Sequence, residues 1–428
     1  MNNLENIRSE FFNSIICGTG RAFTILKENL NIDFSDLIIN AAIYNYAYDA
    51  QCEGSRANYI FQFIKKSKQK DKIIKTVLKK LTTKKDNGYG LTQTVDLAIL
   101  FYKSGYENAR TAILKRLETD YIDGSDMSRE IQITAFFGVE GLLKIAEIHG
   151  KRIFEDNEII EDSYVVDNFQ KENKSLDVYQ ILKNESESNQ YIRKYLDTIL
   201  ANKFKPFRRK KKKKLTYEIL KKRIENENHI FILSQANDLS NEEVERLAND
   251  FLKEKRHDKQ ISYLRFFSQR QFPFDYQPIL KIANRRKEDL LTENALVALS
   301  LFAGKDIREL AINKIQTLKN PCNYLVLLKN NYKENDYKML LEIINRSDNY
   351  DFIHSLNYGI RETYQSNSTT ECKEPLELMY KKMNCSICRQ DIVNILSENN
   401  VLPDNILNEL QYDNDEEIRK IYCKKRIH

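Results

Sequence analysis

A short polar cluster near residue 50 contains the side-chain types that acid–base chemistry uses. Asp49, Glu53 and Arg56 lie between two apolar segments. Two carboxylates and a guanidinium this close can act as acid, base and anion anchor. The same residue types also cap helices and form ion pairs at a corner between helices. We favour the capping role and keep Asp49, Glu53 and Arg56 as catalytic candidates.

A second candidate is the pair Arg223 and His229, which are separated by five residues. Their spacing resembles the R-x-x-x-x-x-H motif of HEPN ribonucleases. The resemblance implies that Arg223 positions a phosphate and that His229 acts in acid–base catalysis. The chain departs from that family at Ile224, where those enzymes usually have a polar residue. Ribonuclease activity is therefore a hypothesis that depends on a single histidine.

Cys385 and Cys388 form a C-x-x-C pair, a spacing that zinc sites and redox sites share. A structural zinc site usually needs two such pairs, and Cys372, Cys423 and His428 do not supply the second one. The pair also lacks the βαβ context of a redox motif. Seven cysteines without regular spacing fit reduced thiols better than a disulfide framework. We therefore expect buried thiols without a metal or other cofactor, with zinc as the alternative.

The largest charge anomaly is a basic run that begins at Lys203. Nine of its twelve residues are basic: Lys203, Lys205, Arg208, Arg209, Lys210, Lys211, Lys212, Lys213 and Lys214. Subtracting these nine charges from the formal net charge of +6 leaves −3 for the rest of the chain. Such a cluster can bind the phosphates of DNA or RNA through counterion release. The alternatives are a solvated loop balanced by the acidic stretch 155–190, or contact with an anionic membrane surface or an acidic protein.

The elements that must position these side chains are helices. The 428 residues include only 12 Gly and 6 Pro, 30 % are charged and 41 % are hydrophobic. This balance favours long helices over a turn-rich β protein. Apolar residues recur at helical spacing, and short helices are predicted at 258–271, 276–287, 289–303 and 306–319. Ser240 and Glu243 predict a capping box at the start of a further helix.

Residues 291–315 give the clearest pair of helices joined by a tight corner. Thr292 is the predicted N-cap of the first helix, and Gly304 is its predicted left-handed C′ residue. Asp306 is predicted to cap the second helix in a capping box with Glu309. Two short helices cannot bury both of their apolar faces alone, so the pattern predicts neighbouring pairs on each side.

The same corner recurs along the chain. Each corner is followed by an arginine at the start of a helix, namely Arg56, Arg110, Arg308 and Arg419. In each helix, the residues three and four positions after the arginine belong to the predicted buried face. The combination of an acidic residue near the turn and an arginine at the start of the second helix resembles the repeat pattern of the HEAT-repeat family. The resemblance covers 37–120 and 240–428 and implies an α-solenoid of stacked helix pairs. A non-repetitive helical bundle is the alternative.

These observations predict an all-α fold, namely a HEAT-like helical-repeat solenoid with an irregular central insertion. We divide the chain into N-terminal helical repeats at 1–150, an irregular acidic-then-basic segment at 151–235, and C-terminal HEAT-like repeats at 236–428. The central segment is where the repeat pattern fails.

Several classes of protein are disfavoured by the sequence. It has no run of about 18 apolar residues, and Glu5 and Glu10 interrupt the region where a signal peptide needs an apolar core. We therefore expect a cytoplasmic protein without membrane contact. The Lys, Asn, Ile and Tyr content is typical of AT-rich bacterial genomes. Walker A, GxGxxG, HExxH and GxSxG motifs are missing, so the enzyme classes that use them lack their minimal residues.

The sequence therefore favours a non-enzymatic scaffold that binds another protein, such as one encoded nearby, with the basic run adding contact to a polyanion. The alternative is a nucleic-acid-binding or nucleic-acid-modifying protein of the HEAT-like DNA glycosylase or ribonuclease type. The tryptophan-rich site of those glycosylases has no counterpart here, because the chain has no Trp. The sequence does not indicate an oligomeric state.

Overall fold

The computed structural model describes residues 3–83, 88–119, 127–156, 159, 161–202, 214–226 and 236–427. Helices are the regular secondary structure throughout these ranges, which confirms the all-α prediction. None of these helices has both the length and the apolar character that crossing a bilayer requires.

The chain forms two compact units. Unit 1 comprises residues 1–209 and 409–428, and unit 2 comprises residues 210–408. The helices of unit 1 are α1 (Asn3–Cys17), α2 (Arg21–Glu28), α3 (Ser35–Ile43), α4 (Ala50–Glu53), α5 (Ala57–Lys66), α6 (Lys70–Thr83), α7 (Tyr89–Lys103), α8 (Asn108–Thr119), α9 (Met127–Glu155), α10 (Tyr164–Glu172), α11 (Val178–Glu185), α12 (Gln190–Ala201) and α25 (Glu416–Ile427).

Unit 2 adds three short 3₁₀ helices to its α-helices. Its elements are α13 (Tyr217–Asn226), η1 (Ala236–Asp238), α14 (Asn241–Lys253), α15 (His257–Phe267), α16 (Gln277–Ala283), α17 (Leu290–Leu299), α18 (Lys305–Thr317), α19 (Cys322–Leu325), η2 (Val326–Asn330), α20 (Asp336–Asn345), α21 (Tyr350–Ser366), η3 (Thr370–Cys372), α22 (Lys373–Lys382) and α23 (Ser386–Glu398). Helix α24 (Asp404–Leu410) contains the boundary at residue 408.

Aromatic packing joins the first helices of unit 1. Phe11 on α1 stacks on Phe34 at 4.2 Å between ring centroids, and Phe63 on α5 lies 4.0 Å from Phe23 on α2. All four side chains are at most 4 % exposed. Because large aromatic side chains bury much apolar area, this group fixes α2 and α5 side by side.

A buried amide ties α3 to the helices that follow it. Gln93 on α7 is fully buried, and its Nε2 donates to the carbonyls of Ala41 (2.8 Å) and Tyr44 (3.1 Å) near the end of α3. Its Oε1 accepts from the backbone N–H of Arg56 (3.3 Å). The last carbonyls of a helix lack partners within the helix, so a side chain that reaches them stabilises the helix end.

The C-terminal segment of unit 1 returns to α2. The Asn414 N–H donates to the Gly18 carbonyl at 2.8 Å, and the Tyr412 ring stacks on Phe23 at 5.1 Å. A Cβ at Gly20 would lie 1.9 Å from the Glu409 carbonyl oxygen, so only glycine allows this backbone contact. Residues 409–419 therefore belong to the same core as the first helices.

The helix pair at 291–315 forms in unit 2, but three of its predicted caps are wrong. Asp289 caps α17, because its Oδ1 accepts from the Thr292 N–H at 3.1 Å. Gly304 is extended (φ −168°) rather than left-handed and precedes α18 as its N-cap. Asp306 instead accepts from the Tyr276 hydroxyl at 2.8 Å, while Glu309 pairs with Lys305 at 3.7 Å.

The later helices of unit 2 pack against one another. Helix α17 packs against η2, η2 against α21, α21 against α23, and α20 against α22. An asparagine ends each of η2, α21 and α23 and bonds to the backbone of the preceding corner or element. The bonds are Asn331 Nδ2 to Phe302 O (2.9 Å), Asn367 Nδ2 to Lys329 O (2.8 Å) and Thr369 N to Asn399 Oδ1 (2.8 Å).

Candidate functional site

A cavity of about 580 Å³ opens in unit 1 between α5 and the returning C-terminal segment. This volume lies within the range of about 300–1,000 Å³ typical of ligand sites. The cavity is lined by Phe23, Glu53, Ser55, Asn58, Tyr59, Gln62, Lys66, Gln411, Tyr412, Asp413, Asn414, Asp415, Glu416 and Arg419.

Three aromatic rings form the apolar part of the lining. Phe23 lies between Tyr412, at 5.1 Å, and Tyr59, at 5.7 Å edge-to-face. The Tyr59 hydroxyl donates to the Thr19 carbonyl at 2.7 Å, which fixes the orientation of its ring. Two lysines lie over the group, with Lys66 Nζ 5.4 Å from the Phe23 ring centroid. These mostly buried rings therefore form a fixed group over which two cations already lie.

The corner before α5 holds the predicted candidates Asp49, Glu53 and Arg56. The Asp49 carboxylate accepts from the N–H groups of Gln51 (3.0 Å) and Cys52 (3.2 Å), so Asp49 caps α4 as the capping interpretation predicts. Glu53 accepts from the Asp49 N–H at 2.9 Å and pairs with Arg56 at 3.2 Å. The side chains of Glu53 and Arg56 are at most 1 % exposed, so the pair supports one wall of the cavity from inside.

The opposite wall is the start of α25. The Asp415 carboxylate caps this helix by accepting from the N–H groups of Glu417 (2.8 Å) and Ile418 (3.2 Å). Arg419 donates through Nη1 to the carbonyls of Asp413 and Asn414, both at 2.7 Å. Because the arginine holds the loop before its own helix, residues 413–415 have one fixed conformation against the cavity.

The chemistry of the lining suits a peptide. Asn58, Gln62, Gln411 and Asn414 carry both donors and acceptors, which matches the alternating N–H and C=O groups of a backbone. Four carboxylate side chains but only two basic ones line the cavity. Glu53 and Glu416 are paired with Arg56 and Lys420, so Asp413 and Asp415 are the carboxylates that favour a ligand with a basic side chain.

Most of the predicted phosphate-binding residues lie outside the described part of the chain. Lys203–Lys213 and His229 lie outside the described residues, whereas Lys214 is described and exposed. Arg223, the predicted partner of His229, lies on α13 and is partly exposed.

Other basic side chains of unit 2 are engaged by carboxylates. Lys221 pairs with Asp250 at 2.9 Å, and Arg256 pairs with both Glu225 (2.9 Å) and Glu254 (2.8 Å). Hydrogen bonds from Arg256, which outweigh the effect of burial, lower the pKa of Glu254 to about 2. These pairs reduce the positive charge that α13, α14 and α15 can offer to phosphates.

A histidine that the sequence left unassigned lies beside the C-x-x-C pair. The ligand atoms of His354, Cys385 and Cys388 all lie within 4.8 Å of one another in unit 2. Cys372 is buried and Cys423 is exposed, whereas His428 lies outside the described residues. The histidine comes from a different helix, so no spacing in the sequence could have indicated it.

A second group missed by the sequence is a buried histidine held between two carboxylates in unit 1. His149 bonds through Nε2 to Glu130 and through Nδ1 to Glu161, both at 2.7 Å. Helix α9 carries Glu130 and His149 on either side of a bend at Gly138 (φ 61°). Burial acts to lower the pKa of His149, but the hydrogen bonds and charges of both carboxylates outweigh it and raise the pKa to about 9. This side chain is therefore a buried imidazolium at neutral pH.

Comparison of the chain with protein families, with curated proteins and with solved structures found no match.

Proposed function

We propose that this protein is a non-enzymatic α-solenoid scaffold that binds a basic peptide segment of another protein in the cavity of unit 1. The proposal rests on that cavity, in which four amide side chains and the carboxylates of Asp413 and Asp415 surround aromatic rings. The walls are held by internal bonds of Asp49, Glu53 and Arg419, so the site is formed before a ligand arrives. A preformed site loses little conformational entropy on binding.

The solenoid part of the proposal is supported by unit 2. Successive corners are joined by Asn331, Asn367 and Asn399, and α17, η2, α21 and α23 pack against one another in chain order. Stacks of helix pairs in which each pair contacts its neighbours are typical of repeat proteins. The cavity in unit 1 is lined by residues of α5 and α25, the helices that follow the predicted repeat corners of Arg56 and Arg419.

Peptide selection tests this proposal directly. A displayed random-peptide library is selected on the full-length protein, and recovered peptides are measured by fluorescence anisotropy. We expect enriched peptides to carry Lys or Arg. Gln62→Arg should weaken their binding by about tenfold or more, because a new cation faces the basic side chain at a cost of about 1.4 kcal/mol.

The matched control is Gln180→Arg, an exposed position on α11 that does not line the cavity. A photocrosslinker placed at residue 62 or at residue 180 in the native host then identifies the natural partner. The proposal fails if selection yields no common sequence, or if both arginine variants bind the selected peptides equally well.

The basic run supports a second candidate function, nucleic-acid contact. Nine positive charges in twelve residues are enough to bind phosphates at low salt. Changing Lys210–Lys214 to Ser should reduce the slope of log affinity against log salt by up to about 4.5 on duplex DNA. Unchanged retention on DNA and RNA columns would exclude this contact, and undiminished RNA cleavage by His229→Ala would exclude the ribonuclease hypothesis.

A further inference from the structure

Two neighbouring helices of unit 2 bring soft metal ligands together. His354 lies on α21, and Cys385 and Cys388 lie at the start of α23. The three ligand atoms are within 4.8 Å of one another. Both cysteines are at most 9 % exposed, while His354 is partly exposed. The cluster is thus mostly enclosed and open to solvent on the histidine side.

The local fold explains why both thiols face the same way. Cys385 is the N-cap of α23, and Cys388 is the third residue of that helix. Residues three positions apart at a helix start lie on one face, so their Sγ atoms converge. A hydrogen bond with Cys385 and burial raise the pKa of the Cys388 thiol, so a metal that binds here must displace thiol protons.

The histidine reaches this pair because α21 and α23 pack against each other. Asn367 and Asn399 end these two helices, which fixes where each stops. The side chains of His354 and Cys388 therefore meet through helix packing rather than through a flexible loop.

We propose that His354, Cys385 and Cys388 bind one zinc-class transition-metal ion, which joins α21 to α23. Zinc is bound at about 2.3 Å from sulfur and about 2.0 Å from nitrogen, which requires ligand atoms about 3.4–3.8 Å apart. Closing from 4.8 Å needs shifts of about 1 Å, within the reach of side-chain rotation. Two sulfurs and one imidazole select Zn²⁺ or a similar soft ion over Mg²⁺ and Ca²⁺.

Three protein ligands leave one position of a tetrahedral ion for water or another small ligand. Binding replaces two S–H bonds by two metal–thiolate bonds and releases both protons to solvent. The donor set also separates this site from a redox C-x-x-C pair, which forms a disulfide and does not use an imidazole as a ligand.

The test uses the full-length protein, freed of metal by a chelator and kept reduced with a phosphine. Titration with Co²⁺ should saturate at one ion per chain and give both thiolate-to-cobalt charge-transfer absorption and the visible bands of a tetrahedral ion. Added Zn²⁺ should remove these bands. Zinc should also slow hydrogen exchange in 350–366 and 385–398.

Variants assign the ligands. Cys385→Ser and Cys388→Ser should each abolish the complex in which one Co²⁺ ion is bound by two thiolates. His354→Gln should weaken Co²⁺ binding at least about tenfold, because losing a residue that only supports a metal ligand already weakens binding that much. Cys322→Ser and Cys423→Ser are the matched controls, because both cysteines lie outside the cluster. The proposal is overturned if Co²⁺ binding does not saturate, or if Cys385→Ser or Cys388→Ser leaves the cobalt spectrum unchanged.

A second measurement covers variants that fail to fold. In the wild-type protein, zinc should protect Cys385 and Cys388 from alkylation during brief partial unfolding, while the exposed Cys52 and Cys423 stay reactive. Mass spectrometry reads each thiol separately. Equal alkylation of Cys385 and Cys388 with and without zinc would overturn the assignment independently of any substitution.

Discussion

Replacing His149 by glutamine should destabilise unit 1 at neutral pH and remove a pH dependence that the wild-type protein has. The imidazole is 3 % exposed and lies 2.7 Å from carboxylate oxygens of both Glu130 and Glu161. Glutamine keeps a hydrogen-bonding side chain of similar reach but carries no charge. Arg152 lies 3.7 Å from Glu161 and continues to neutralise that carboxylate in the variant. The carboxylate that loses its cation is therefore mainly that of Glu130, which is 4 % exposed.

The magnitude follows from proton binding. The folded pKa of His149 is about 9, against an ordinary value of 6.5. That difference, at about 1.36 kcal/mol for each tenfold change in proton affinity, corresponds to about 3 kcal/mol. Because the folded pKa is raised, this stabilisation is fully present below pH 6.5 and is lost as the pH rises through 9. Tyr195, beside the imidazole, stays neutral in this window because burial raises its pKa well above the ordinary value.

The assay is hydrogen exchange of α9 and α12, which pack against each other, measured from pH 6 to pH 10 and corrected for intrinsic rates. The opening free energy of these helices should fall by about 3 kcal/mol over that range in the wild-type protein. In His149→Gln it should already be low and stay nearly constant. His257→Gln, at an exposed histidine, is the control and should match the wild type.

Two outcomes would refute this reasoning. His149→Gln could change the opening free energy at pH 6.5 by less than 1 kcal/mol, or it could keep the wild-type slope above pH 7. Either result would mean that the imidazole is not a buried cation held by two carboxylates.

Three further predictions concern stability. Gln93→Leu removes the donor to the carbonyls of Ala41 and Tyr44 near the end of α3 and should cost about 1–3 kcal/mol per buried group left without a partner, measured by urea unfolding. Asn331→Ala should destabilise unit 2 by about 1–3 kcal/mol and speed exchange around residues 302–304, whereas Asn294→Ala, at a partly exposed asparagine that bonds within its own helix, should have little effect. Gly20→Ala should displace the Glu409 backbone and raise exchange in 409–427; unchanged exchange there would contradict the close contact.

What the sequence predicted well was local. Ser240 and Glu243 form the predicted capping box, and Asp49 caps the helix that follows it. Such bonds join residues two or three positions apart, so a short stretch of sequence contains both partners. The all-α class follows from helical periodicity in the same way.

What the sequence missed depends on distant partners. Asp306 was a plausible cap, but Tyr276 lies close enough to take its carboxylate as an acceptor. Likewise, His354 gains meaning only when helix packing brings it to Cys385. A periodic pattern shows which face of a helix is buried but does not show what lies across from it. Helix ends shift for the same reason, as α16 ends at Ala283 rather than at the predicted 287.

The return of the C-terminal segment to α2 has a consequence for the order of synthesis. Residues 409–428 complete unit 1, yet the ribosome makes them only after the whole of unit 2. At about 5–20 residues per second, the roughly 200 intervening residues delay that completion by on the order of 10–40 s. During this interval the Phe23 ring lacks its partner Tyr412, and the cavity has only one of its walls. The nascent chain therefore exposes an apolar surface that the finished protein covers, and the cavity forms only when residues 411–419 are in place.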